Sequence, residues 1–484
     1  MEKGFLKHFT IIGGGTFINM ILGIFTTPII TRLVAPGKYG QLSIFTMYSN
    51  IALMILCFGL DQALIRFYYE KESITFKRAL LFKCVKIPII VSIMISLGII
   101  VLSKTKIIEF EFNTIIMVFL CLYTIIQLIY RFSLLLVRLS YKSKLYSLLN
   151  IIHKLSYIIL ALPLIVYICN DSLLALIIAN VVSSFICMII SLISQSPLWD
   201  LIKNQPAECN ISQRELLIYA YPYIFSYGIT TLFQAIDKIS LNKFCTYHEV
   251  GIYSSTMTLV SIFAIIQTTF NSLWTPMSVE HFTKNQNDKS FYQKGNQIIT
   301  VVMFFMGSSL ILFKDVFAVL LGEKYREAAY ILPFLIFNPI MYTISETTVG
   351  GLIFFKKSKV QVIISLGACI ANIIGNMMLV PVLGGKGAAI STGISWIIFM
   401  TLRTTLSNRY FYIDYKLKKF YTLTFVTVIY ALYNTFVDFN ISSIIGYFLV
   451  MSVLVLLYCD TIKWCFRYLS DFLCQIVRRL NNGN

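Results

Sequence analysis

The chain predicts an all-α membrane protein with about 14 transmembrane helices, on three observations. Apolar stretches fill nearly its whole length, and 57% of its 484 residues are hydrophobic against 13% charged. Hydrocarbon ~30 Å thick takes about 20 helical residues to cross, so these stretches suit a lipid solvent rather than a soluble core. The runs are continuous and lack the in-and-out alternation of barrel strands, which makes them helices. Finally, the basic residues gather between alternate runs, the pattern that orients a polytopic chain.

In order, the expected spans are 9–31, 41–60, 79–103, 113–132, 146–168, 173–196, 214–241, 250–274, 296–313, 329–354, 361–383, 388–407, 421–437 and 441–460. The first has Lys3 and Lys7 before it and no small-residue cleavage site after it, so it is expected to be a retained helix rather than a removed signal peptide. The seventh is the least apolar. With the N-terminus inside, inner segments hold 27 of the 40 Lys and Arg residues, outer loops ten, and spans three (Lys83, Lys86, Lys154). That bias places both termini in the cytoplasm. It also accounts for the net charge of +18 without a nucleic-acid partner.

The expected organisation is an N-terminal six-helix lobe over 1–196, a cytoplasmic linker over 197–213, a C-terminal six-helix lobe over 214–420, and two extra helices with a basic tail over 421–484. The linker is polar and broken by Pro197 and Pro206. Sliding the chain by 211 residues matches layout more than letters, yet it sets Gly40 on Gly251 and Ser43 on Ser254. Six spans per lobe is an even number, so the lobes would be related by an axis along the membrane normal, with a site between them.

Several chemistries find no support. The eleven cysteines include no C-x-x-C pair and the four histidines no H-E-x-x-H motif, so neither a metal nor any other cofactor is expected. Gly13-Gly14-Gly15 lies inside the first span, where it suits close helix packing or a bend rather than a phosphate loop. Outer loops are short, the longest near 314–328, which disfavours a membrane glycan polymerase or transferase. No enzymatic activity is expected, and the protein's work would be done inside the bundle.

Ionisable residues at membrane depth are costly and therefore mark candidate sites. Asn150, His153, Lys154 and Tyr157 share one face of the fifth span, with Lys154 ~12 Å from its inner end at 1.5 Å per residue. A lysine there could also snorkel to the interface. Glu346 lies at similar depth in the tenth span beside Ser345 and Thr347, and a neutral carboxyl against a hydroxyl is the alternative there. Asp237 and Lys238 close the seventh span, one turn after Gln234, where a solvated pair is the plainer alternative. Asp61, Gln62 and Arg66 follow the second span, and Arg66 beside Phe67, Tyr68 and Tyr69 also suits an interfacial anchor.

At these residues the chain resembles a family. Phe58-Gly59-Leu60-Asp61-Gln62-Ala63-Leu64-Ile65-Arg66-Phe67-Tyr68-Tyr69-Glu70 is similar to the segment after the second helix of bacterial polysaccharide repeat-unit flippases. These are the O-antigen and capsule translocases of the multidrug/oligosaccharidyl-lipid/polysaccharide exporter superfamily. Ile236-Asp237-Lys238-Ile239-Ser240-Leu241-Asn242-Lys243-Phe244 and Glu249-Val250-Gly251-Ile252-Tyr253-Ser254 resemble their seventh-helix signature, with Lys238 where the family shows arginine. Trp274-Thr275-Pro276, Gly322-Glu323-Lys324-Tyr325-Arg326 and Gly387-Ala388-Ala389 extend the likeness over roughly residues 5–410.

The resemblance implies a flippase of the bacterial cytoplasmic membrane that carries an undecaprenyl-diphosphate-linked oligosaccharide from inner to outer leaflet by rocking of two lobes. It implies exchange with protons or sodium, and association with other polysaccharide-assembly membrane proteins. Lys154 is the first choice for the anionic head, with Arg66 and His153 behind it, while Lys238, lacking arginine's bidentate fork, is a substrate-binding candidate without that phosphate role. Asn19, Gln62, Gln127, Asn150, Gln234 and Asn271 could line a saccharide path, and Asp61, Asp237 and Glu346 are the acids that could couple to an ion. A multidrug or toxic-cation exporter of the same superfamily is the alternative. It would favour acids deep in the first six spans, where this chain instead has Lys154.

Overall fold

A computed structural model describes residues 2–105, 111–168, 171–200 and 209–481. Among these the regular structure is helical, with no strand. The expected linker residues Lys203, Pro206 and Glu208 lie outside the described residues. The helices are α1 (Glu2–Leu33), α2 (Pro36–Leu56), α3 (Leu60–Phe67), α4 (Ile74–Thr105), α5 (Thr114–Leu139), α6 (Ser143–Pro163), α7 (Ser172–Ser194), α8 (Ser196–Trp199), α9 (Gln213–Phe244) and α10 (Tyr247–Val260). They continue as α11 (Phe263–Lys284), α12 (Ser290–Leu312), α13 (Lys314–Leu321), α14 (Ala328–Leu335), α15 (Phe337–Thr348), α16 (Gly350–Phe354), α17 (Ser358–Asn408), α18 (Leu417–Phe436) and α19 (Ile441–Asn481).

Nine of the helices among the described residues are long and apolar enough to cross a membrane, or up to eleven if each bent pair is one span. The difference from fourteen has visible physical sources. The eleventh and twelfth expected spans run together in α17, which turns at Gly384 (φ 56°) three residues after Pro381. The second expected span is broken into α2 and α3, bent by 53°.

Contacts divide the chain into two compact units, Met1–Asn242 with Thr246–Ser254, and Lys243–Cys245 with Ser255–Asn484. In the first unit α5 is the hub, packed against α2, α4 and α7, while α1 lies along α6. Close approach comes from small residues: Ala175, Ala179, Ser183 and Ser184 of α7 are fully buried. Gly15 of α1 is likewise pressed on α6, where an added Cβ would stand 2.2 Å from the Ser147 Cβ. At one end Leu60, Leu64, Leu80, Leu128, Phe132 and Leu216 form a closed apolar cluster from four helices. There the Lys83 ammonium donates to the carbonyls of Cys209 (2.8 Å) and Ile211 (2.9 Å). Elsewhere α4 turns Ile93, Met94, Leu97 and Val101 outward, as a lipid-facing helix does.

The two residue pairs matched by the 211-residue offset are in contact. The Ser43 and Ser254 hydroxyls are 2.7 Å apart. A Cβ on Gly40 would stand 1.9 Å from the Tyr247 carbonyl oxygen, and one on Gly251 1.9 Å from that of Pro36. Only glycine lets α2 and α10 cross backbone to backbone.

In the second unit α15 is central, with α11, α12 and α17 around it. Its Thr343, Ser345, Glu346, Thr347 and Thr348 are buried. Thr347 accepts a hydrogen bond from Asn296 of α12 (2.7 Å), and Thr348 shares one with Thr404 of α17 (2.8 Å). Hydroxyl and amide bonds of this kind join helices that gain nothing from burying apolar faces out of lipid.

The α2–α3 break is the strictest local requirement in the first unit. Phe58 and Gly59 both take left-handed φ values (50° and 67°), and a Cβ on Gly59 would lie 2.4 Å from the Ala220 carbonyl oxygen of α9. Gly59→Ala is therefore expected to destabilise the protein by about 1–3 kcal/mol, read as a lower thermal midpoint in detergent. Gly98→Ala, whose Cβ meets nothing within 4 Å, is expected to leave the midpoint unchanged or raise it. Equal midpoints for the two variants would refute the strain assignment.

Candidate functional site

The break turns Asp61 into the first turn of α3, where the helix dipole favours a carboxylate. Asp61 Oδ1 accepts the Gln62 backbone N–H at 3.0 Å. Its Oδ2 accepts from two nitrogens of Arg131 on α5, Nη2 at 2.5 Å and Nε at 3.1 Å. The Asp61 side chain is 5% exposed and that of Arg131 43%, so the carboxylate is enclosed while the guanidinium opens onto space. That space is a cavity of about 340 Å³, lined by Asn50, Leu53, Met54, Cys57, Gly59, Asp61, Arg131, Tyr223, Ile224, Tyr227, Thr231 and Gln234. All of these residues belong to the first unit.

One wall of the cavity is a face of α9. Tyr219, Tyr223 and Tyr227 recur every four residues, so their rings line up along the helix. Tyr219 and Tyr223 are 5.7 Å apart between ring centroids with 40° between planes, and Tyr223 and Tyr227 are 6.2 Å apart and stacked at 27°. The row begins against Phe67 of α3, whose ring meets Tyr219 edge-on at 5.5 Å. It continues as Thr231 and Gln234, one and two turns further on.

A second polar group lies across α5. Gln127, one turn before Arg131, donates from Nε2 to the Ser184 hydroxyl at 2.9 Å. The same hydroxyl is 2.9 Å from His153 Nε2 on α6. Next to His153, Lys154 reaches α1, where a Cβ on Gly23 would stand 3.8 Å from its Nζ. Lys154 has neither a hydrogen bond nor an ion pair among the described residues. Gly23 leaves room for that ammonium. Asn19, one turn earlier on α1, keeps a buried Oδ1 with no protein partner. Asn150 spends its amide on the Tyr146 carbonyl of its own helix (3.1 Å).

The other sequence-derived candidates are scattered. Arg66 is exposed, 3.6 Å from Glu70 and over the Phe67 ring at 5.4 Å, which is an anchor's environment. Asp237 is buried and accepts from the Tyr253 hydroxyl at 2.6 Å, with half-buried Lys238 beside it. Glu346, in the second unit, is ion-paired: Arg403 of α17 donates from Nη1 to its Oε1 at 2.7 Å and to the Ser345 hydroxyl at 2.8 Å. Both members are buried, and the guanidinium lies over Tyr342 and Phe399. Among the described residues no three His, Cys, Asp or Glu side chains converge as a metal site would require.

Arg131 and Arg403 are the residues that sequence reasoning passed over, because both were counted with inner loops. Arg131 has Ile129 and Tyr130 before it and Phe132 after it, and Arg403 follows Phe399, Met400 and Leu402. A basic residue enclosed by apolar neighbours, with an acid near the end of another span, was the available signal.

The family described as polysaccharide biosynthesis protein matches residues 5–282. A search of curated proteins returns no sequence match. Among solved structures, the lipid II flippase MurJ in an inward closed conformation is similar at a TM-score of 0.69 and 13% identity, covering 95% of this chain and 99% of that one. A multidrug resistance MATE family transporter of the MOP superfamily, outward-facing, is similar at 0.52 and 13% identity, covering 83% and 95%. At such identities the likeness is one of fold.

An ion pair enclosed on both sides leaves a buried charge when one partner is removed. Arg403→Ala is expected to cost about 3–5 kcal/mol, seen as a lower thermal midpoint or loss of folded protein on gel filtration. Glu346→Leu combined with Arg403→Met is expected to recover most of it. An unshifted midpoint for Arg403→Ala would show the pair to be energetically idle.

Proposed function

We propose that this chain, which belongs to the polysaccharide biosynthesis protein family, is a flippase. Its cargo in this reading is a polyprenyl-diphosphate-linked oligosaccharide, carried from the inner to the outer leaflet of the bacterial cytoplasmic membrane. The observation that carries the reading is Lys154: a half-buried ammonium inside the first unit, beside Gly23, with no acid spent on it among the described residues. A cation held ready in a bundle interior is costly unless an anion visits it. A diphosphate headgroup supplies that anion while its lipid tail remains in hydrocarbon.

Next to Lys154 in the chain, His153 shares the Ser184 hydroxyl with Gln127, and side chains of this kind are the polar partners that sugar hydroxyls need once they leave water. The expected lobes, 1–196 and 214–420, would open alternately to the two leaflets. Coupling to a proton or sodium gradient would pass through Asp61, Asp237 or Glu346, all of them buried. A drug-cation exporter would want an unpaired acid where this chain has an unpaired base, so the anionic cargo is preferred.

Lys154→Ala is expected to abolish surface polysaccharide while the protein stays in the membrane at normal abundance. Deletion of the protein is expected to leave lipid-linked repeat units accumulating in the inner leaflet. Normal surface polysaccharide from cells with well-expressed Lys154→Ala sinks the assignment of the anionic head, and no accumulation in the deletion strain sinks the flippase reading itself.

A further inference from the structure

The cavity beside the α2–α3 break and Lys154 differ in charge, and that difference divides the labour between them. Asp61 and Arg131 are the only charged residues lining the cavity among the described residues, and they neutralise each other. A diphosphate placed there would meet the Asp61 carboxylate and a guanidinium with two nitrogens already engaged. The cavity is therefore a poor anion site.

It is well suited to an uncharged, hydroxyl-rich ring. Asn50, Thr231 and Gln234 offer amide and hydroxyl groups, and Gln234 is exposed to the space. Arg131 Nη1 makes no contact with Asp61, so that edge of the guanidinium can donate to hydroxyl oxygens. Tyr227 ends the tyrosine row 40% exposed, and its hydroxyl has no protein partner among the described residues. The C–H face of a pyranose is slightly positive and apolar, so it stacks on the negative face of an aromatic ring. A volume of about 340 Å³ is of the size that encloses a small ligand.

We propose that this cavity is a saccharide subsite, with Tyr227 as the stacking platform and Gln234, Asn50 and Arg131 as hydroxyl partners, while Lys154 takes the phosphate of the same glycolipid. Gln127, Ser184 and His153 form a hydrogen-bonded bridge between the helix of Arg131 and the helix of Lys154. The inference rests on the flippase reading above and goes further by splitting the headgroup between two places.

The test uses the full chain in nanodiscs and two probes, undecaprenyl diphosphate and lipid-linked repeat units extracted from cells lacking the protein. The parent protein is expected to bind the glycosylated lipid more tightly than the bare one. Tyr227→Ala and Gln234→Ala are each expected to shrink that preference by about three- to tenfold and to leave bare-lipid affinity unchanged, with Tyr227→Phe retaining most of the preference. Lys154→Ala is expected to weaken both probes equally. An unchanged preference in Tyr227→Ala and Gln234→Ala overturns the saccharide subsite and leaves the flippase reading standing. A parent protein that binds neither probe overturns both.

Discussion

A carboxylate that lipid cannot solvate must find its cation inside the protein, and the first unit is arranged around one such meeting. Asp61 reaches Arg131 only because the chain breaks at Phe58 and Gly59, which turns α3 away from α2. That turn requires two left-handed residues, and the Ala220 carbonyl lies where any Gly59 side chain would go. The bend, the ion pair and the cavity beside them are thus one structural event.

The pair has consequences beyond stability. With Asp61 and Arg131 neutralising each other, Lys154 remains a cation of this interior with neither an acid nor a hydrogen bond among the described residues. Charge is separated from polarity: one place holds an available ammonium, the other a neutral set of hydroxyl, amide and aromatic groups. A glycolipid headgroup has the same two parts in series. Buried ion pairs add little net stability over apolar packing, so their retention is better explained by what they position.

The second unit meets the same physical problem with a different pair. Glu346 and Arg403 face each other in a nearly closed setting, under the rings of Tyr342 and Phe399 and against the Ser345 hydroxyl. The surrounding helices are joined by Asn296, Thr347, Thr348 and Thr404, because in lipid a hydrogen bond discriminates between helix partners where an apolar contact does not. Glu346 therefore lies among groups that satisfy it, whereas Arg131 is satisfied on one edge alone.

Composition and the spacing of apolar runs were enough, by themselves, to establish a multi-span helical protein, since lipid demands both length and internal backbone pairing. The 211-residue offset had already matched Gly40 with Gly251 and Ser43 with Ser254, and these residues touch. His153 and Lys154 were legible as polar residues on one apolar helix. What only the tertiary structure decided was pairing: that Arg131 answers Asp61, that Arg403 answers Glu346, and that Tyr223 and Tyr227 of α9 line the cavity beside Asp61. Helical periodicity reports which residues share a face of one helix. It carries no information about which face of another helix lies opposite, and in a bundle that choice determines which charges cancel and which remain available.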